Sequence, residues 1–425
     1  MLKSLQYFAL LSKTWLVILA ASFSWLSEEV TLNLFEKCRS FTRADEAREA
    51  GVYPYFKAIE SGADTEVFIG GKRLIMIGSN NYLGLTQDPR VKEAAKKAID
   101  DYGSGCTGSR FLNGTLSLHE ELEDKLARFM KREAALCFST GFQTNLGTIA
   151  TLVGKDDLIF ADRTNHASIV DGCRLAFGRT LKFKHNKLDD LERLLRSHSN
   201  AGGKMIIVDG VFSMEGDIVD LPKIVKLAGK YQAQILVDDA HAIGVLGKHG
   251  RGTGEHYGLE DNVDIVLGTF SKSFASIGGF IAGDRYVVDY IKHHSRPLIF
   301  SASMPPAAVA TVSTAVDILE QEPERLERLW RNVRKMKTGF DKLGFNTGRS
   351  QTPIIPIHIG EDLKCFQFWK LLFDNGIFTN PVVSPAVPPG GGVIRTSFMA
   401  THTDAELDEV LHIFARLGRE FGLIQ

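Results

Sequence analysis

The chain has 425 residues, 44% of them hydrophobic, and its 50 Lys and Arg against 51 Asp and Glu leave a formal net charge of -1. That length is enough for a large core, one big domain and smaller appendages, while the near-neutral charge excludes the basic footprint of a nucleic-acid binder. Five scattered cysteines (Cys38, Cys106, Cys137, Cys173 and Cys365) without CxxC spacing argue against a disulfide framework or a structural zinc site and fit a reducing cytoplasm.

Residues 1–34 read as an apolar amino-terminal segment. Its centre, residues 15–26, is apolar with interspersed serines and follows Lys3 and Lys13. A spanning helix wants ~20 apolar residues, so this stretch is short for that role. It resembles a signal-peptide core, but the two readings kept are a peripheral anchor at a membrane surface and an appendage with no catalytic part.

Residues 35–90 read as an arm and a hairpin, in which Val67-Phe68-Ile69 and Leu74-Ile75-Met76-Ile77 flank Gly70-Gly71. A large domain is expected over 91–310. There, helical patterns alternate with short apolar strands centred on Leu136, Ile159, Ile207, Leu236 and Val266. Such alternation predicts an α/β fold with a mostly parallel central sheet covered by helices on both faces. Pro305-Pro306 opens a helical stretch through about Leu343, and 311–425 reads as a smaller α+β domain with strands near Ile355 and Ile394.

The chemistry is concentrated after the strands. Lys272 follows Ile265-Val266-Leu267 and sits among Thr269, Ser271 and Ser273; Asp238 and His241 follow Ile235-Leu236-Val237. A parallel sheet builds its ligand sites at that edge. A lysine for an imine, a carboxylate for a pyridinium nitrogen and hydroxyls for a phosphate are what pyridoxal phosphate requires. The plain alternatives are a solvated loop lysine and a helix-capping aspartate. His166 follows another strand, where it can stack on a pyridine ring and reach a substrate carboxylate. The run Ser139-Thr140-Gly141-Phe142 opens a helix whose amides suit a phosphate. Arg395, between Gly390-Gly391-Gly392 and Thr396-Ser397, is a candidate carboxylate clamp.

Two motifs mislead. Gly103-Ser104-Gly105-Cys106-Thr107-Gly108 matches GxGxxG, but the helical pattern of residues 91–102 precedes it where a dinucleotide fold needs a strand. A loop closing over substrate suits it better. The pair His293-His294 has no ligand-spaced companions, so no metal site is expected.

Together these residues resemble the α-oxoamine synthases, a family within the fold-type-I pyridoxal-phosphate enzymes. The likeness runs from about residue 35 to the carboxyl terminus. It is carried by Tyr53-Pro54-Tyr55-Phe56, by Gly105 through Thr115, by His166-Ala167-Ser168-Ile169-Val170-Asp171-Gly172-Cys173, by Lys184-His185-Asn186 and by Gly268 through Ser273. The branch most similar condenses L-serine with a long-chain acyl-CoA. The resemblance implies Lys272 as the imine lysine, Asp238 at the pyridinium, His241 at the phenolic oxygen and His166 on the ring. It places Gly141, Phe142, Ser213, Thr269 and Ser271 around the cofactor, and Asn81, Ser109 and Arg395 on the substrate side. It implies a homodimer in which Ser301 serves the partner's phosphate, and a cytoplasmic enzyme with access to acyl-CoA, possible contact with the inner membrane surface included.

The sequence departs from the family's pattern in three places. Phe142 replaces a common tyrosine or histidine, Asp239 replaces a usual glutamate, and Pro385-Ala386-Val387-Pro388-Pro389 lacks an arginine that some relatives carry there. Sister synthases that use glycine or alanine are the same-class alternative. A catalytically silent partner subunit is the other, and the presence of Lys272 argues against it.

Overall fold

The computed structural model describes residues 33–425, so the apolar stretch at 15–26 lies outside the described residues. Two compact units divide the chain after Tyr53. The described part of the first holds the short helices Glu36–Arg39 and Arg43–Glu49. The second, Pro54–Gln425, carries everything below. Among the described residues, no helix is long and apolar enough to cross a membrane.

The second unit begins with strands β1 (Glu66–Ile69) and β2 (Lys72–Met76), paired antiparallel with Ile69 opposite Lys72. Gly70 and Gly71 both have positive φ, 58° and 70°, as a two-residue hairpin turn requires. Seven strands then build the main sheet: β3 (Ala134–Phe138), β4 (Leu158–Asp162), β5 (Arg179–Phe183), β6 (Lys204–Asp209), β7 (Gln234–Asp238), β8 (Ile265–Thr269) and β9 (Gly279–Gly283). Their spatial order is β3-β9-β8-β7-β6-β4-β5, with β9 antiparallel to both of its neighbours. The pairs from β8 across to β5 are parallel.

The expected apolar strands are all in this sheet. Two others lacked a legible signal. β5 reads Arg-Thr-Leu-Lys-Phe and lies at the sheet edge with Arg179 and Lys182 exposed, so it has no continuous apolar run. β9 is buried throughout but bounded by glycines. A Cβ on Gly279 would come 2.8 Å from Gly141 Cα, so close backbone approach dictates that glycine.

Alternation along the strands separates two cores. Phe160, Ile206, Val208, Val237 and Phe280 face one side, where Val309, Val312 and Val316 of the helix Pro306–Gln321 pack. Ile159, Ile207, Leu236 and Ile281 face the other, against Ile149 and Ile169 from the helices Gly141–Leu152 and Ala167–Leu175. The stretch opened by Pro305-Pro306 is two helices rather than one. Pro323 begins the second, Pro323–Leu343, because it has no N–H to continue the first.

The remaining strands are β10 (Ile354–Gly360), β11 (Ile377–Phe378), β12 (Asn380–Val382) and β13 (Gly392–Ser397). β10, β13 and β12 form an antiparallel sheet, and β11 extends the amino-terminal hairpin by pairing parallel with β2. Their core joins Met336, Phe340, Trp369, Ile394 and Phe414 to Ile75 and Ile77, so the two ends of the unit share one apolar cluster.

Gly268 shows how tightly the strand that leads to Lys272 is packed. A Cβ there would lie 2.4 Å from Phe280 Cε1 and 2.7 Å from Ile243 Cδ1. The Phe280 ring is backed by Phe270, stacked on it at 5.5 Å, which leaves it little room to shift. Gly268→Ala is expected to destabilise the protein by about 1–3 kcal/mol through overpacking. Denaturant titration would show this as a lower midpoint at an unchanged slope; an unmoved midpoint would mean that the sheet relaxes freely.

Candidate active site

The carboxyl ends of β3, β4, β6, β7 and β8 converge on a cavity of about 250 Å³. Lys272, Asp238, His241, His166, Gly141, Phe142, Ser213, Thr269 and Ser271 all line it. Residues distant in sequence meet here because parallel strands end at one edge.

One end of the cavity is polar and small. The helix Gly141–Leu152 starts there, and Thr140 caps it by accepting from Gln143 N at 3.0 Å. A Cβ on Gly141 would fall 2.6 Å from Thr269 Oγ1, so the helix start and the end of β8 touch only because residue 141 is glycine. Thr269 Oγ1 and Ser271 Oγ lie 3.0 Å apart beside it. Free amides of the first helical turn and two hydroxyls make a cradle for a phosphate.

Lys272 follows on the turn after β8. Loss of hydration in the cavity lowers its amine to a pKa of about 8, against the opposing pull of the Asp238 and Asp209 carboxylates. Asp238, at the end of β7, is 3% exposed and held by Asn145 Nδ2 at 2.7 Å and Ala240 N at 3.0 Å. Among the described residues no Lys, Arg or His nitrogen comes within 4.0 Å of it. A buried carboxylate without a cation is costly. The protonated nitrogen of a pyridine ring would compensate it, and this is the observation on which pyridoxal phosphate fits the cavity.

The two histidines are held by their inner nitrogens. His241 Nδ1 is 2.7 Å from the Tyr82 hydroxyl; burial, with Lys272 and Arg395 nearby, keeps its ring well below the usual value and therefore neutral. His166 caps the helix Ala167–Leu175, and its Nδ1 lies 2.7 Å from Ser168 Oγ. Its pKa is lowered by loss of hydration and by Lys272, with Asp238 acting the other way. Asp209, directly across from Asp238 in the β6–β7 register, accepts the His166 backbone N–H at 2.8 Å. Burial and the adjacent charge of Asp238 push the Asp209 carboxyl well up.

The other residues expected at the site lie outside the cavity lining. Arg395, on β13, is 5% exposed; its Nε donates to Ser213 O at 2.7 Å and its Nη2 to Asn80 Oδ1 at 2.9 Å. Asn81 uses its side chain locally, donating to Thr86 Oγ1 at 2.8 Å and accepting from Leu85 N at 3.1 Å. Ser109 bridges Ala302, which brings the glycine-rich loop beside the segment that carries Ser301, and Ser109 Oγ is buried without a partner. Asp239 turns away from the cavity to accept from Thr253 N at 2.8 Å and Thr253 Oγ1 at 2.5 Å.

Asn145, Ser168, Asp209 and Tyr82 are the residues that sequence reading passed over. Asn145 left little signal, one amide in a helix that also carries Gln143, Thr144, Thr148 and Thr151. Asp209 left a faint one, an acid closing the run Met205-Ile206-Ile207-Val208 as Asp238 closes its own.

The profile of the family "Aminotransferase class I and II" matches residues 72–414. A serine palmitoyltransferase of Sphingobacterium spiritivorum is 51% identical over 91% of this chain and 97% of its own length. An 8-amino-7-oxononanoate synthase of Treponema denticola is 44% identical, covering 90% of this chain and 97% of its own. Among solved structures, a serine palmitoyltransferase from S. paucimobilis with bound PLP and myriocin superposes with a TM-score of 0.90 at 38% identity, over 92% of this chain and 100% of that one. The chain belongs to the aminotransferase class I and II family and, within it, to the α-oxoamine synthases.

Proposed function

We propose that the chain condenses L-serine with a long-chain acyl-CoA, palmitoyl-CoA in the first instance, to give 3-oxosphinganine, coenzyme A and CO2. The observation that carries this reading is the convergence of Lys272, uncompensated Asp238 and donor His166 on one cavity, in a chain 51% identical to a serine palmitoyltransferase. Pyridoxal phosphate, when bound, supplies an imine link and a protonated ring that accepts the electron pair left as the Cα–H bond of the amino acid breaks.

Lys272 Nζ would hold the cofactor before substrate arrives. With its pKa lowered to about 8, roughly a fifth of the released amine is neutral near pH ~7.4 and able to take the Cα proton, against about 0.1% at an ordinary lysine pKa. After the new C–C bond forms and coenzyme A and CO2 leave, the same Nζ returns a proton to that carbon. Asp238 would keep the ring nitrogen protonated, His241 would address the phenolic oxygen, and the Gly141 helix start with Thr269 and Ser271 would hold the phosphate. Arg395, its plane fixed by Ser213 O and Asn80, is the cation for the serine carboxylate, with His166 as a second donor.

A homodimer belongs to the same proposal. Phe111, Leu112, Ile277 and Phe300 are exposed apolar side chains around the loops that carry Ser109 and Ser301, and a second copy would cover them. A cytoplasmic setting follows from the acyl-CoA substrate.

The purified protein is expected to release coenzyme A with L-serine and palmitoyl-CoA, and the product mass to retain the serine hydroxymethyl group. Turnover with glycine or alanine in place of serine would move the function to a sister synthase. Lys272→Ala should abolish turnover, and ordinary rates from that variant would refute the proton role. Asp238→Asn, which keeps the shape and removes the charge, should lower kcat by roughly 10²–10⁴-fold.

Lys272 also gives a pH prediction. Its folded pKa of about 8 lies below its ordinary 10.5, so below pH 8 burial of the charged amine opposes folding. That penalty is relieved as pH rises from 8 to 10.5. In the cofactor-free protein, wild-type stability should gain on that of Lys272→Met by on the order of 2–3 kcal/mol across this window. Parallel stability curves for the two proteins would show that the amine titrates normally.

A further inference from the structure

Asn145 is 1% exposed, and its Nδ2 makes two hydrogen bonds, 2.7 Å to Asp238 Oδ2 and 2.9 Å to Ser168 Oγ. An amide nitrogen carries two hydrogens, so both are engaged. Turning the amide over would set Oδ1 against the Asp238 carboxylate, oxygen to oxygen, so Asp238 fixes which way Asn145 faces. Ser168 Oγ accepts from Asn145 and must direct its own hydrogen elsewhere. His166 Nδ1 is 2.7 Å away, and the Ser168 backbone N–H points to the same nitrogen at 3.3 Å. With two donors aimed at Nδ1, the ring hydrogen belongs on Nε2.

We propose that Asn145 and Ser168 are positioning residues that carry the orientation set by Asp238 to His166, and hold His166 as a neutral Nε2–H donor toward a carboxylate or carbonyl oxygen of the substrate. The substrate part rests on the condensation reading above; the hydrogen-bond chain does not. One consequence is a division of labour. Nδ1 is occupied and Nε2 already carries its hydrogen, so His166 can donate but cannot take the Cα proton, which leaves Lys272 as the base. A second is that the group facing the ring nitrogen of the cofactor and the group facing the substrate are parts of one hydrogen-bonded network, reaching from β7 through the helix Gly141–Leu152 to the start of the helix Ala167–Leu175.

The test is nitrogen NMR of the holoenzyme labelled with 15N-histidine, the His166 signals being assigned by their loss in His166→Gln. The expected wild-type result is an unprotonated, pyridine-like Nδ1 and a protonated Nε2. Ser168→Ala should mix the two tautomers and lower kcat/KM for L-serine on the order of tenfold or more while the visible band of the bound cofactor remains. Ser168→Thr, which keeps the hydroxyl, should restore both. A protonated Nδ1 in the wild type overturns the proposal without any variant having to fold, and so do unchanged ring signals in Ser168→Ala. The two readings fail separately: a wild type that releases no coenzyme A with L-serine sinks the condensation, while the nitrogen shifts still judge the relay.

Discussion

The Asp238 carboxylate is buried at the end of β7 with an amide and a backbone N–H as partners and no cation beside it. A buried carboxylate is tolerated only when it is hydrogen-bonded and faces positive charge, and here two hydrogen bonds and the more distant Lys272 are what the fold supplies. The constraint organises its surroundings. Lys272 lies close enough for its pKa to feel Asp238, Asp209 is pushed toward its neutral form by burial and by the same charge, and Asn145 is oriented by it. A cationic ring nitrogen satisfies Asp238, and the rest of the cavity is arranged around where that ring must then lie.

The parallel sheet makes such an arrangement possible. Asp209 and Asp238 are register partners on β6 and β7, a placement that parallel pairing gives and a hairpin would not. The antiparallel β9 fills the gap between β3 and β8, and its Gly279 lets the helix Gly141–Leu152 descend until its first residue meets Thr269. The phosphate end of the cavity thus depends on backbone contacts that no side chain could replace. The proton-handling end depends on side chains held from behind, Tyr82 on His241 and Ser168 on His166. Arg395 is held in the same way from the smaller sheet.

The α/β character, the hairpin at Gly70-Gly71, the expected apolar strands and the residues at their carboxyl ends were all legible in the order of the amino acids. Continuous apolar runs and strand-end chemistry are local signals, so Lys272, Asp238, His241 and His166 could be read as one constellation before any of them was placed in space. The resemblance to α-oxoamine synthases rested on equally local stretches. What stayed illegible was non-local. β5 hides its strand character in an edge position with charged outward side chains, and β9 is a glycine-bounded segment whose burial is decided by its neighbours. The break at Pro323 was readable but was overridden by the length of the helical pattern around it. Asn145 and Tyr82 stand in no chemical motif, and Ser168 lies inside the His166–Cys173 stretch with nothing local to mark its role. Their importance lies in which oxygen or nitrogen each one faces, and only the packing of a helix and a loop against β7 decides that. The sequence supplies the chemical groups, because side-chain identity is local; the tertiary structure supplies their protonation and orientation, because those depend on neighbours brought together only by folding.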